Sequence, residues 1–564
     1  MGSLITLALA LSQPASACGG FFCNSIDPVD QAGESVVFSV DEEAGEVTSH
    51  IQIQFQGTAR DFAWIVPVPS EPDVFLSTQA LFDAIHPPTS NLPQLTLRNM
   101  GCGNTGFSDT DTDADTDADS DADTDVDTGT DIGVTVVAQS TVGPYDTATL
   151  TATNADALVD WLQDNGYALP DTLVPLLDSY LAPGMHFLAL KLAKEDNFGE
   201  LAPLGMRYAG TSMAVPIQLT AVAATPDMPM TVYILGQDRA VPLNYLHVQL
   251  NPLAHDWNRM GTFDSTVATV ADEAGGHAFV TVYAGEPSLT PIWTPNSYDT
   301  AGLEDISAPL DWFAALPGHG FFGTDELLPI LEAFLPPPVG VDATDFYNCP
   351  GCYPEGWDAL NATFDSVAAS QALEARIVEP RADAQATLNA NPYLTRLTTA
   401  LSPGEMTTDP IFGFNPDLPV VTNTPQATLT TTCKGDQNYD NAPRRLELPG
   451  DIEMPVPNLE VVPWGSLDDW MSELIVHRAM IIEQLSTSGS GDVLVDNTAV
   501  MNKSVLPGTD DPIGDALQLD NEREEETTAG CACSSAPGNP AILLAFLPLL
   551  IGMRRSDRSP TPPK

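Results

Sequence analysis

Between residues 51 and 56 the chain reads Ile-Gln-Ile-Gln-Phe-Gln. Apolar side chains alternating with glutamines are the period-two signature of a strand with one buried and one wet face. The residues before it, 18–50, are also strand-rich, and "DFAWIVPVP" is a continuous apolar strand expected to stop at Pro67 and Pro69, because proline cannot donate to a ladder. "STQALFDAI" opens like a helix with Ser77 or Thr78 as its cap. Further on, "TVVAQSTVGPYDTATLTAT" predicts two strands, and residues 154–184 predict two short helices, the first capped by Asn154 and ended by Gly166. "MHFLALKLAK", "SMAVPIQLTAVAA", "MTVYILG" and "VPLNYLHVQL" predict strands at regular spacing, with helices over 325–335, 357–389 and 466–485 and a break at Pro336, Pro337 and Pro338. The class implied is α+β: a strand-rich mixed body with several helices, as one large or two closely packed domains.

Composition narrows the partners. The 564 residues are 43% hydrophobic, enough for a sizeable core, and carry a formal charge of -57. Such a chain repels phosphate backbones and anionic lipid, so nucleic acid is not an expected partner. Eleven aspartates fall in residues 109–131, at nearly every second position. Packed like charges favour a solvated, extended chain, so residues 108–131 read as a disordered insertion in a surface loop. The calcium-loop alternative uses Asp123, Asp125, Asp127 and Asp131. It departs from the pattern, since counting from Asp123 the glycine, Gly129, stands seventh rather than sixth and no glutamate follows at twelve. No resident cofactor is expected, only loosely bound calcium.

Both ends read as addresses. Residues 4–11 are apolar and are followed by Pro14 and Ala15-Ser16-Ala17, the pattern of a signal peptide over 1–17 cut after Ala17, with Cys18 at the mature start. No Lys or Arg precedes Arg60, although such signals normally open with one, which leaves the true start codon undecided. Cys18 itself reads either as a lipidated residue or as a disulfide partner. After a body over 18–507 and an acidic stalk over 508–530 comes Cys531-Ala-Cys533, a small flexible spacer, the apolar run 541–553 and Arg554, Arg555 and Arg558. Thirteen helical residues cover roughly 20 Å of a ~30 Å hydrocarbon core, short for a permanent span.

That order of cysteines, spacer, short apolar segment and arginines resembles the MYXO-CTERM class of bacterial sorting tails. The resemblance implies cleavage by a membrane protease and retention of the Cys531/Cys533 region, lipid-modified, at the cell surface. In the body, Cys18-Gly-Gly-Phe-Phe-Cys23, the following "PVDQAGE" and "FAWIVPVP" resemble the bacterial exported family catalogued as domain of unknown function 2330. Residues 215–224, 275–285 and 391–412 agree with it. The resemblance implies export and a continuous fold to about residue 414, and it carries over no activity.

The remaining cysteines are Cys18, Cys23, Cys102, Cys349, Cys352 and Cys433, and in an exported chain they read first as disulfides, with fifteen pairings open. Cys349-Pro-Gly-Cys352 has redox spacing, but the turn-formers Tyr353, Pro354 and Gly356 follow where a thiol-activating helix would start, so a structural bridge is the default over metal or redox work. "GTSMAVP" matches the letters of a subtilisin-type nucleophile turn. Ser212 nevertheless lacks a histidine in the required context, and residues 215–224 look like a strand where that enzyme has a helix. His255 and His277 read as polar residues near strand ends, and His186 sits in a strand pattern. With no catalytic set in view, the chain reads as an exported, envelope-anchored binding or structural module served by signal peptidase and a tail-processing protease and touching the membrane through its tail. The alternatives are an extracellular hydrolase with a dispersed site and a calcium-dependent adhesin.

Overall fold

The Asp30–Asp41 and Glu46–Gln56 strands form an antiparallel hairpin, closed where the Gly45 amide donates to the Asp41 carbonyl at 2.9 Å with Gly45 at φ 68°. In this computed structural model the described residues are 21–22, 30–56, 63–102, 133–167, 173–192, 202–258, 263–287, 298–322, 326–435, 437–450 and 452–499. The chain divides into units Met1–Leu517 and Gln518–Lys564, and all described residues belong to the first.

That hairpin belongs to a ten-stranded sheet. Across it the order is Asp492–Asp496, Ala479–Gln484, Leu246–Leu250, Ala278–Gly285, Tyr393–Leu401, Met228–Gly236, Asp30–Asp41, Glu46–Gln56, Leu204–Ala209 and Asp73–Leu76. Two neighbouring pairs are parallel, Leu246–Leu250 with Ala278–Gly285 and Met228–Gly236 with Asp30–Asp41. A second, antiparallel sheet runs Phe21–Phe22, Ala63–Val68, His186–Leu192, Tyr145–Ala152, Val134–Val142.

Alternation assigns the layers. Met230, Val232, Ile234, Val36 and Phe38 join Trp64, Val66, Leu188 and Leu190 of the second sheet in one core between the sheets. Val37, Tyr233 and Leu235 turn the other way, toward helices Gln79–Thr89 and Glu379–Asn389. On the second sheet Ile65, Leu150 and Phe187 face helices Ala155–Asp164 and Val174–Leu181. The body is thus helix, sheet, sheet, helix, and each fully buried aliphatic side chain contributes about 1.5–3 kcal/mol.

Between Gly285 and Tyr393 the chain builds a helical subdomain with its own core, where the Phe346 and Trp357 rings stack at 4.7 Å. A four-stranded sheet, Ile452–Val456, Arg444–Leu448, Gln426–Thr432, Gln94–Met100, ends in a parallel pair whose last register is Thr432 with Met100. Cys102 and Cys433 follow at once and are bonded. Cys349 and Cys352 are bonded as well, within the helical subdomain.

The α+β class is what the structure holds, and several local expectations hold with it. Thr78 and Asn154 cap their helices, and Gly166 follows the second helix at φ 78°. Four expectations are corrected. Residues 215–224 are not a strand. After the two-residue strand Met213–Ala214, Pro216 leads into a helical turn, Ile217–Thr220, which sends Ile217 and Leu219 into different cores. The helix expected over 466–485 ends at Leu474, and Ala479–Gln484 is a strand inserted between Leu246–Leu250 and Asp492–Asp496. Short apolar runs fit either period, and here sheet pairing decides. The helix expected over 357–389 breaks at 361–365, where Asp365 accepts from the Val367 and Ala368 amides and starts a new helix. Pro67 does not stop its strand. Among the described residues Phe21–Phe22 pairs with Ala63 and Trp64 and no strand pairs with Pro67 on that side, so no ladder bond between described residues is lost there.

Two outcomes follow from this architecture. Replacing Cys102 and Cys433 by alanine opens a closure across a sequence separation of 331 residues and should lower stability by roughly 2–5 kcal/mol, read as a shifted denaturant midpoint; an unmoved midpoint contradicts it. A chain ending at Gly285 lacks Tyr393–Leu401, which lies between two central strands, and should be insoluble or lack cooperative unfolding, whereas one ending at Ala499 keeps all ten strands and should fold.

Candidate functional site

Three strands of the large sheet bring polar side chains together on one face. Val248, Val280 and Ile482 point to the helix Phe263–Glu273 through Val270, so alternation turns His247, Thr281 and Glu483 to the opposite face, beside Phe279. Register shifts fall at Gln249/Leu250, Thr281/Tyr283 and Ile482/Glu483. Bulges of this kind re-aim side chains and recur beside functional groups.

His247 Nδ1 lies 2.9 Å from Glu483 Oε1 and His247 Nε2 lies 3.0 Å from Thr281 Oγ1. Gln249 Nε2 donates to the same Glu483 Oε1 at 3.0 Å, and Arg239 Nη2 donates to Thr281 Oγ1 at 3.3 Å. Burial pushes the His247 pKa down, and the His247 hydrogen bond, the largest influence on Glu483, holds that carboxyl below its usual range. The proton positions follow: Glu483 is a carboxylate, His247 is neutral with its proton on Nδ1, and Thr281 donates to Nε2 while accepting from Arg239. This is the polarity of a hydroxyl held by a general base that is itself oriented by an acid. His247 is 4% exposed, Glu483 7% and Thr281 9%, so solvent is nearly excluded; Gln249 alone is exposed. Arg239 is anchored by donating from Nη1 to the Pro419 carbonyl at 2.9 Å.

A second polar cluster sits between the sheets. Glu34, on the face shared with Val36 and Phe38, accepts from Gln31 Nε2 at 2.9 Å. Burial pushes its pKa up to about 7, against the Gln31 hydrogen bond, with nearby Asp409 adding to the rise. Burial raises Asp409 too, opposed by the Gln218 amide, which donates to Asp409 Oδ1 at 3.0 Å. The cluster ties the first strand to the turn Ile217–Thr220 and to the segment before strand Ile411–Phe414.

Of the residues singled out in the sequence, Ala17, Cys18, Cys23, Asp123, Asp125, Asp127, Asp131, Cys531, Cys533, Arg554 and Arg555 lie outside the described residues. Cys102, Cys433, Cys349 and Cys352 are disulfide-bonded. Ser212 is exposed and its carbonyl accepts from the Tyr208 hydroxyl at 3.2 Å. His277 Nε2 contacts the Glu405 carbonyl at 2.7 Å and Thr407 Oγ1 at 3.1 Å, and half-buried His255 packs edge-on against Trp257. Among the described residues no group of three His, Cys, Asp or Glu side chains could hold a metal, and no helix is long and apolar enough to cross a membrane. A cleft lined by Ile51, Trp64, Tyr145, Leu190 and Leu204 among others is apolar. The relay escaped sequence reading because 34 residues separate His247 from Thr281 and 236 separate it from Glu483. The local sign was slight: His247 and Gln249 alternate with apolar residues in Leu246–Leu250, and Thr281 interrupts the apolar run of Ala278–Gly285.

The acid cluster sets a pH dependence. Folded Glu34 keeps its proton to about pH 7, while an ordinary glutamate releases it near 4.5, so stability falls as pH rises through that window. The contribution is on the order of 3 kcal/mol. Denaturant unfolding at pH 5 and pH 8 should show the native chain losing more stability than Glu34→Gln by about that amount; parallel losses contradict it.

A family model matches residues 12–291, which hold seven of the ten strands of the large sheet. The three strands beyond it include Tyr393–Leu401 in mid-sheet. No curated protein and no solved structure matches the chain. Through residues 12–291 the chain belongs to the family that the model describes as an uncharacterized protein conserved in bacteria, DUF2330.

Proposed function

We propose that the protein is an exported module of the bacterial envelope, held at the surface through its C-terminal tail and acting by binding or as a structural element. The observation that carries this reading is the bond between Cys102 and Cys433, placed directly after the last paired register of two parallel strands. A bridge built into a sheet end persists in an oxidising compartment and is rare in a reducing one. The bond between Cys349 and Cys352 points the same way, and the formal charge of -57 suits a solvated exterior chain. Signal peptidase and a tail-cutting membrane protease are the partners this reading needs, with the membrane reached through the tail. Calcium enters only as a loosely held counterion of residues 109–131.

A hydrolase reading has one observation in its favour, the Thr281, His247 and Glu483 relay. A hydroxyl 9% exposed in mid-sheet is closed to an external substrate, which weighs against it.

Intact-mass measurement on the native protein from envelope fractions tests the proposal. The expected product starts at Cys18, is trimmed or acylated around Cys531 and Cys533, and gains mass on reduction of its bridges. Recovery from the cytosol at full length with free thiols would sink it.

A further inference from the structure

The relay activates a hydroxyl that outside molecules do not reach, so an acyl group for it has to come from the chain. Gln249 is placed to supply one. Its strand runs parallel to Ala278–Gly285 with His247 beside Phe279 and Val248 beside Val280. The paired register ends at Val248 and Val280, and the next residues along the two strands, Gln249 and Thr281, fall on one face of the sheet. The Gln249 amide is held by Glu483 Oε1, the oxygen that also orients His247. Nucleophile, base, orienting acid and carboxamide therefore share one chain of hydrogen bonds across three neighbouring strands.

We propose that Thr281 and Gln249 join in an intramolecular ester made by the protein itself. Thr281 Oγ1 attacks Gln249 Cδ while His247 Nε2 takes the hydroxyl proton. Glu483 steadies the resulting imidazolium, Arg239, donating to Oγ1, holds the hydroxyl in place, and the negative charge of the tetrahedral intermediate falls on Gln249 Oε1. The tetrahedral intermediate collapses with cleavage of the Cδ–Nε2 bond, His247 returns its proton to the departing nitrogen, and ammonia leaves. Hydroxyl plus carboxamide gives ester plus ammonia, with no oxidant, reductant or co-reactant. Two features suit the step. Thr281 and His247 are shielded from water, which limits hydrolysis of the product, and Gln249 is exposed, which lets ammonia escape to solvent. The bond would staple two adjacent strands, and it does not depend on where the protein resides.

Peptide mapping of the full chain after reduction and trypsin tests this. Cleavage after Arg239, Arg259 and Arg376 places Gln249 in the peptide 240–259 and Thr281 in the peptide 260–376. The expected finding is one branched species lighter than the two peptides together by one ammonia, about 17 Da, and split by hydroxylamine. Thr281→Ser should retain the branch; Thr281→Val and His247→Gln should lose it, with cooperative unfolding showing that each variant is folded. Recovery of both peptides separately, at unmodified mass, from folded native protein overturns the proposal. So does a branch that resists hydroxylamine.

Discussion

Two-sided burial of the strands at the centre of the large sheet is the constraint on which the rest depends. Met230, Val232 and Ile234 fill the space between the sheets while Tyr233 and Leu235 meet the helices behind. A strand apolar on both faces has no stable solvated position, so it requires a layer on each side. The second sheet supplies one and helices Gln79–Thr89 and Glu379–Asn389 supply the other. The second sheet in turn has an outer apolar face and collects its own helices. The four layers follow from one doubly buried strand pair.

Burial on this scale puts a cost on polar groups caught inside, because an unpaired buried donor or acceptor costs about 1–3 kcal/mol. Arg396 donates to the His86 carbonyl at 3.0 Å and Ser90 Oγ at 2.9 Å, closing the carboxyl end of a helix that contains Pro87 and Pro88. Arg444 donates to the Pro457 and Val462 carbonyls, each at 2.7 Å, in the four-stranded sheet. Glu34 meets the same demand by keeping its proton rather than by pairing with a cation. The Thr281 relay differs in kind. Its members form a directed chain from the Thr281 hydroxyl through His247 to the Glu483 carboxylate, which also accepts from the exposed Gln249 carboxamide.

The fold reaches beyond the family match. Tyr393–Leu401 pairs on one side with Met228–Gly236 and on the other with Ala278–Gly285, so strands inside the matched stretch are held together by one outside it. The helical subdomain between Gly285 and Tyr393 is an excursion from one sheet position to the next, with a separate core around Trp312, Phe346 and Trp357. Chain order and spatial order part company there.

What the sequence by itself determined was local. The alternation along the first hairpin, the caps at Thr78 and Asn154, the glycine after the second helix and the mixed class were legible because each depends on residues within a turn or two of one another. The close cysteine pair at 349 and 352 needed no more than its spacing. Tertiary structure decided the rest. Cys102 finds Cys433 only because Gln94–Met100 lies parallel to Gln426–Thr432, which nothing near either cysteine records. Residues 479–484 become a strand because an edge of the sheet is open to them, against a local pattern that fits a helix equally well. His247, Thr281 and Glu483 meet for the same reason: periodicity tells which face a side chain takes, while its neighbour on that face is set by strand order, and strand order is a property of the whole core.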